Sequence, residues 1–465
     1  MTSADSLKRA ANNILTRSLG LRKDQSLLIF ADSGSVAVAE VVARAAREHG
    51  IVPSVLFVPR FLQAEMGLTE SLPLPVEAAI READAVLSCL SDHSEHMPYR
   101  LRVLRTSWSR RTKLAHAPGM TLDVLRKADT DYGLISEHAR LLALALVLGR
   151  SMEISTADAK GRECRLVVQI GGWDYPPEIS DGIISDGAWG NVPPGEVYVV
   201  PQGGEGEIAV NGSLPGRVLA PGEELTLAFR AGWLHEMRPK TGPAARYLHE
   251  TQISHAQERG DREWTNLAEI GFGLNPAVHD LIGVPLVDGK KANTLHVALG
   301  HSACLGGNVD SVIHCDMVVE RPTVRVDGRV LLDAGQLRVS RESDWLPDHR
   351  TARPPEGWWE GVTEIRRGAM HAERDQVRSA GAVPVRLACR WKSGRGRWES
   401  IPVGAEPTAR LAARLYEQLP DDGQPVLKAA LITGAERIGL EQAGLPGLLW
   451  VMRGYDVVRF VGERL

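Results

Sequence analysis

Between Ser26 and Leu148 short apolar runs alternate with stretches of helical period, and after Arg150 that alternation stops. Residues 26–31, 52–58, 85–90 and 113–115 read as strands. Residues 36–48, closed by Gly50, then 76–82 and 137–148 read as helices, and 7–19 repeats its apolar residues at helical spacing. Strands that alternate with helices predict a parallel sheet covered on both faces. The first strand-to-helix turn, Asp32-Ser33-Gly34-Ser35, lacks the spaced glycines of a dinucleotide site and reads as a helix start.

Beyond Arg150 the chain turns to strands at 152–156 and 165–170. From Gly171 it is rich in Gly, Pro and short β-runs, with one helical exception at 244–256. A Pro- and Trp-rich stretch, 345–359, reads as a linker. After it come a hairpin-like segment (383–401), two helical stretches (408–418 and 425–435) and a terminal strand pair (448–452 and 457–461). The expected fold class is therefore α/β in three parts. Residues 1–150 form an N-terminal parallel-sheet α/β domain, 151–345 a central mainly β domain, and 360–465 a small C-terminal α+β, winged-helix-like domain.

Composition narrows the function. With 465 residues, 54 Lys+Arg against 58 Asp+Glu, and 43% hydrophobic residues, the chain is an ordinary globular protein whose cores need no disulfide or structural metal. A net charge of −4 offers no general attraction for nucleic acid, which is disfavoured as a partner. Cys89, Cys164, Cys304, Cys315 and Cys389 are scattered without a C-x-x-C pair, which suits a reducing cytoplasm. The N-terminus is amphipathic instead of basic then apolar, and the apolar run 141–148 is far short of the ~20 residues that span a bilayer. A cytoplasmic location without membrane contact is expected.

Four segments of the central region place His and carboxylates on β-runs. In Val312-Ile313-His314-Cys315-Asp316-Met317, side chains alternate, so His314 and Asp316 project together while Ile313, Cys315 and Met317 face the other way. His296 lies on the polar side of the run from Asn293 to Gly300. Glu269 is set among apolar and small residues, and Glu196 follows a Pro-Gly turn at the head of another apolar strand. Acids in such runs lose hydration unless paired or bound to a metal. Two imidazoles and three carboxylates offer N and O ligands suited to Zn, Co, Mn or Fe(II). Three carboxylates, two divalent ions and one hydroxide sum to zero charge, so a two-metal hydrolase balances electrostatically.

Taken together these segments resemble the aminopeptidase T family of metallo-aminopeptidases. Residues 186–201 (DGAWGNVPPGEVYVVP), 267–275 (LAEIGFGLN), 296–300 (HVALG), and Gly306-Gly307 with Ser311 and His314-Cys315-Asp316 follow the family's order, and the likeness covers roughly residues 1–340. It implies metal ligands at Glu196, Glu269, His296, His314 and Asp316, and a general base at Glu269. The implied substrate is a peptide or amide with a free amine. Two departures stand out. The family's Tyr seven residues after the first metal-binding His is here Ala303, and the two histidines are only 18 residues apart, which shortens the loop between them. His301 on that loop is the candidate substitute for the missing oxyanion donor.

The same scaffold is similar to an Fe(II)-dependent ring-opening dioxygenase of dihydroxypyridine breakdown. That resemblance implies a triad of His296, His314 and Asp316 with Glu196 or Glu269 left for proton transfer. A third reading is a non-catalytic, peptide-binding relative in peptide natural-product biosynthesis. Ser302, in Gly300-His301-Ser302-Ala303-Cys304, lacks the context of a nucleophile elbow, and Cys304 and Cys315 read as small buried residues. The basic run 386–398 carries Arg390, Trp391, Arg395, Arg397 and Trp398. With the terminal elements, it suggests docking of a peptide or protein partner by the C-terminal region. A homodimer is the expected assembly.

Overall fold

The computed structural model describes residues 3–66, 72–93, 96–109, 112–170, 177–184, 188–305 and 307–339. Beyond these it describes 364–367, 415, 425–437, 440 and 458–461. The first sheet follows from its sequence. In β1 (Ser26–Ala31) the continuous apolar run sends Leu27, Ile29 and Ala31 into one core and Leu28 and Phe30 into another, as alternation in a sheet buried on both faces requires. β1 pairs in parallel with β2 (Val52–Phe57) and β3 (Ala85–Ser88), and β3 with β4 (Lys113–His116). Helices Ser3–Asn13 and Val36–Glu48 contribute to the first core; Ile80, Tyr99 and Val103 of helices Leu74–Glu82 and Met97–Ser109 fill the second.

The chain then crosses into the central region and returns. Helix Tyr132–Leu148 buries Ala139, Leu142 and Leu146 in the central core. Past β5 (Ser151–Ala157), β6 (Glu163–Ile170) and β7 (Glu178–Ser180), the short strand β8 (Trp189–Asn191) adds itself in parallel to β4. The order of the first sheet is thus β2-β1-β3-β4-β8. A cut at residue 150 leaves β8 on the far side of the sheet it completes.

The strands that follow, as far as Leu337, are β9 (Glu196–Val199), β10 (Pro201–Val210), β11 (Ser213–Leu214), β12 (Arg217–Val218), β13 (Leu225–Arg230), β14 (Trp233–Arg238), β15 (Leu267–Gly273), β16 (Thr294–Gly300), β17 (His314–Glu320), β18 (Thr323–Val326), β19 (Arg329–Asp333) and β20 (Gln336–Leu337). With β5, β6 and β7 they form two sheets, ordered β14-β13-β10-β6-β5-β18-β19-β20 and β12-β11-β17-β16-β15-β9-β7. One core joins them, with Leu166, Ile208 and Leu227 from the first and Val197, Ile270, Val297 and Met317 from the second. The fold is α/β as expected, with a parallel N-terminal sheet and large antiparallel sheets behind it.

Some elements differ from the sequence reading. Helices Arg60–Met66, Met97–Ser109 and Leu122–Arg126 carry too few periodic apolar residues to announce themselves. The helical stretch at 244–256 is continuous but passes through a π-turn, His249–Ile253. At 425–435 the expected helix begins as a strand. Pro425–Leu427 pairs with Glu364–Arg367, which also pairs with Val458–Val461, and only Lys428–Arg437 is helical. The backbone of residues 425–427 is held by that strand partner, which a local pattern does not show. The linker 345–359, the segments 383–401 and 448–452, and Arg390, Trp391, Arg395, Arg397 and Trp398 lie outside the described residues. No helix among the described residues is long and apolar enough to cross a membrane.

Candidate metal centre

Three neighbouring antiparallel strands build the site. In β17 the i, i+2 spacing puts His314 and Asp316 on the face opposite Cys315 and Met317, which enter the core. β16 pairs with β17 so that Gly300 lies opposite His314 and Ala298 opposite Asp316, small residues that leave room above the sheet. His296 comes from β16 and Glu269 from β15, where Gly271 lies directly across from His296. Leu295, Val297 and Ile270 turn into the core, so the polar groups turn out of it.

The four side chains meet. The His296 Nε2 is 2.9 Å from Glu269 Oε1, the His314 Nε2 is 3.2 Å from Glu269 Oε2, and His314 Nε2 is 3.0 Å from Asp316 Oδ1. Glu269, His314 and Asp316 each offer a ligand atom within 4.8 Å of the others, and His296 adds its nitrogen from the other side of Glu269. Glu269 and His296 are buried, His314 and Asp316 half-buried. Glu196, at the head of β9, lies opposite Gly273 of β15, and its Oε1 accepts a 2.8 Å hydrogen bond from the Lys290 ammonium. Both members of that pair are buried. Lys290 follows the short helix Pro285–Asp288, and its carbonyl accepts from the Asn275 N–H at 2.7 Å. Sequence reasoning missed Lys290: Gly289-Lys290-Lys291 reads as an ordinary solvated turn, and nothing local says that one lysine turns inward.

The residues present fit a cation. His314 places its Nδ1 2.7 Å from the His301 carbonyl, and an N–H there is the donor that contact requires. The other nitrogen, Nε2, then faces two carboxylates. A bare lone pair there would be repelled, so a proton or a metal ion belongs at that nitrogen, as a backbone-anchored histidine ligand requires. Without metal the proton takes the place. Burial acts against charge on His314, but Asp316 and Glu269 outweigh it and hold its pKa well above the ordinary value. His296 is likewise raised, burial being overcome by its hydrogen bond to Glu269. Burial pushes the carboxylates up, yet the imidazoles prevail: Glu269 is lowered, and Asp316 is brought down to about 2.

The signs give a pH profile. The two raised histidines stabilise the metal-free fold fully below about 6.5 and lose that contribution as pH rises through their folded values. The lowered carboxylates contribute above about 4 and lose it as pH falls toward 2. Chelator-treated protein is therefore expected to show its highest melting temperature between about pH 4.5 and 6.5, while metal affinity rises with pH as the competing protons leave. A melting profile with no decline on the alkaline side would contradict this account of the cluster.

Two glycines make the pocket for His296. A Cβ on Gly271 would sit 2.0 Å from the imidazole Cε1 and 2.1 Å from Nε2; one on Gly289 would approach the ring to 3.2 Å. The ring packs against the bare backbone of Gly271, in the space a side chain there would fill. Gly271→Ala is expected to expel His296 from the cluster and weaken metal binding by roughly 10–100-fold, as loss of an orienting contact does. Metal titration of the folded variant checks this.

The His301 imidazole lies along its own loop, with Nδ1 3.1 Å from Asp310 Oδ1, and its carbonyl is the group that touches His314. Ala303 opens a 3-10 turn, Ala303–Leu305. The Ser302 hydroxyl is buried and accepts from the Val309 N–H at 3.3 Å. Burial, assisted by Asp316, pushes the Cys315 thiol far above its ordinary pKa, so it is an inert core residue.

No protein-family model and no curated protein matches this sequence. Among solved structures, the fold is shared with 2,5-dihydroxypyridine dioxygenase from Pseudomonas putida KT2440, at a TM-score of 0.55 and 18% identity, covering 72% of this chain and 98% of that one. AmpT from Thermus thermophilus aligns at a TM-score of 0.49 and 16% identity, over 72% of this chain and 99% of that one.

Proposed function

We propose that the chain is an enzyme that works with a single divalent metal ion, held by His296, His314, Asp316 and Glu269. The Lys290–Glu196 pair at 2.8 Å carries this reading. The sequence sum counted three free carboxylates and needed two ions. With Glu196 neutralised by a buried ammonium, only the charges of Glu269 and Asp316 remain, and one divalent ion balances both.

An ion in such a His-carboxylate set supplies open coordination positions of the kind used by non-haem Fe(II) oxygenases. Ring-opening oxygenation is our first reading. It is supported by the one-ion balance, by Ala303 where the aminopeptidase T family has its Tyr, and by the likeness of the fold to that of a ring-opening dioxygenase. In it Glu269, whose two oxygens contact both imidazoles, takes and returns a substrate proton. Hydrolysis of a peptide or amide, with Zn, Co or Mn, is the second reading. The same Glu269 carboxylate favours it, because a general base must sit beside the ion and within reach of a water.

The test is metal content together with reaction. The full chain, loaded in turn with Fe(II), Zn, Mn and Co, is expected to retain one ion and to consume O₂ with a dihydroxylated N-heteroaromatic probe in the iron form. Release of residues from a peptide panel would select the hydrolase instead. No retained ion would leave the non-catalytic, peptide-binding relative. With the enzyme we propose a homodimer, and a C-terminal region that recruits a peptide or protein partner. Deleting residues 360–465 should then weaken partner capture without changing metal content.

A further inference from the structure

A second group of buried polar residues lies at the carboxyl ends of the parallel strands, where open α/β sheets bind their ligands. Arg100, in helix Met97–Ser109, is 7% exposed. Its Nη1 donates to the carbonyls of Ser91 and His93, the loop that follows β3. Its Nε is buried with no hydrogen-bond partner, and the carboxylate of Asp92 acts on its charge without a hydrogen bond to it. His116, the last residue of β4, stands edge-on to Trp189 with ring centroids 6.0 Å apart. Its Nδ1 lies 3.2 Å from Asn191 Oδ1, and its Nε2 is buried without a partner.

One short segment ties these residues to the neighbourhood of the candidate metal centre. Asn191, which touches His116, and Glu196, which touches Lys290, are the two ends of one six-residue segment. Burial first, then the charges of Arg100 and Lys290, bring His116 down to about 4, so it is neutral near pH 7. With its Nδ1–H turned to Asn191, the free nitrogen is an acceptor. A buried guanidinium whose Nε–H has no acceptor, although the charge of Asp92 acts on it, thus stands near an imidazole whose Nε2 has no donor. Those two atoms, Arg100 Nε and His116 Nε2, are unsatisfied within the protein, and buried polar atoms are rarely left so.

We propose that Arg100 and His116 form the subsite for an acid group of the substrate, Arg100 Nε–H donating to a carboxylate oxygen and His116 Nε2 accepting from a hydroxyl or N–H on the adjoining carbon. The substrate class is a small carboxylic acid with such a donor beside the acid group. This deepens the proposed function and rests on it for the reaction, while the binding itself stands on the subsite alone.

Calorimetric titration of the full chain with glycolate, acetate and glycolamide tests it. Glycolate is expected to bind best, acetate about tenfold more weakly, and glycolamide more weakly still, since the lost contact is charge-assisted. Arg100→Met and His116→Leu should each weaken glycolate by about tenfold or more. Arg100→Lys, which keeps the charge but not the Nε–H, should also weaken it. Because glycolate can bind a metal ion directly, the titration is repeated on Asp316→Ala protein after its metal content is measured. Binding that persists there and still falls with Arg100→Lys supports the subsite. Binding that vanishes with the metal, or that ignores both arginine substitutions, overturns it. Neither outcome alters the ion count that tests the proposed function.

Discussion

Asp316→Ala protein is expected to retain no ion under loading conditions in which the natural chain retains one. The Asp316 Oδ1 stands 3.0 Å from His314 Nε2, and these two groups with Glu269 bring their ligand atoms within 4.8 Å of one another. Removing one of three converging donors halves the negative charge that faces the ion and opens the set to water. Affinity should fall by at least ~100-fold, the upper end of what lost orienting contacts cost. His314→Ala should lose the ion as completely but behave differently without metal. It leaves Glu269 and Asp316 near each other with less cation between them, so its melting temperature should drop more at pH 7 than that of Asp316→Ala. Asp316→Asn, nearly the same in shape, separates charge from bulk. If it holds metal as the natural chain does, the carboxylate is not a ligand and the proposed centre is wrong.

What could be read from the sequence follows the range of the interactions involved. His314 and Asp316 were legible because two residues of spacing on a strand fixes a shared face without any tertiary knowledge. The run Leu27 to Ala31 was legible as a doubly covered strand for the same kind of reason, each side chain having only two directions open to it. The N-terminal helix Val36–Glu48 announces itself through an apolar stripe of Val38, Val42, Ala45 and Ala46. Trp189–Asn191 could not be placed, since three residues carry no period and their partner β4 lies more than seventy positions earlier. Helix Met97–Ser109 hides its apolar face among Arg100, Arg102 and Arg105.

The charge at the centre shows the limit most clearly. Glu196, Glu269, His296, His314 and Asp316 were read from the sequence as one ligand set, because each is polar within an apolar strand. The structure brings four of them into contact with one another and gives the fifth a lysine. A strand pattern identifies which groups leave water, but the partner that compensates each is set by three-dimensional packing. Lys290 reaches Glu196 from 94 residues away, out of a loop whose sequence reads as surface.

Lys290→Met should therefore have two large and opposite effects. In metal-free protein it leaves the Glu196 carboxylate buried without a cation, which costs about 3–5 kcal/mol when one partner of a buried pair is removed. In excess divalent metal it frees that carboxylate as a ligand, and the ion count should rise from one to two per chain. Because ions bind the folded form, the melting temperature lost without metal should return as metal is added. The double variant Lys290→Met with Glu196→Gln removes both charges together. It should regain most of the stability and return to one ion, since the second site has lost its carboxylate. Mass spectrometry under native conditions counts the ions, and melting with and without chelator reads the stability. A single variant that keeps one ion in saturating metal would mean that the ammonium is not what holds the centre to one cation, and that charge balance does not set the ion count.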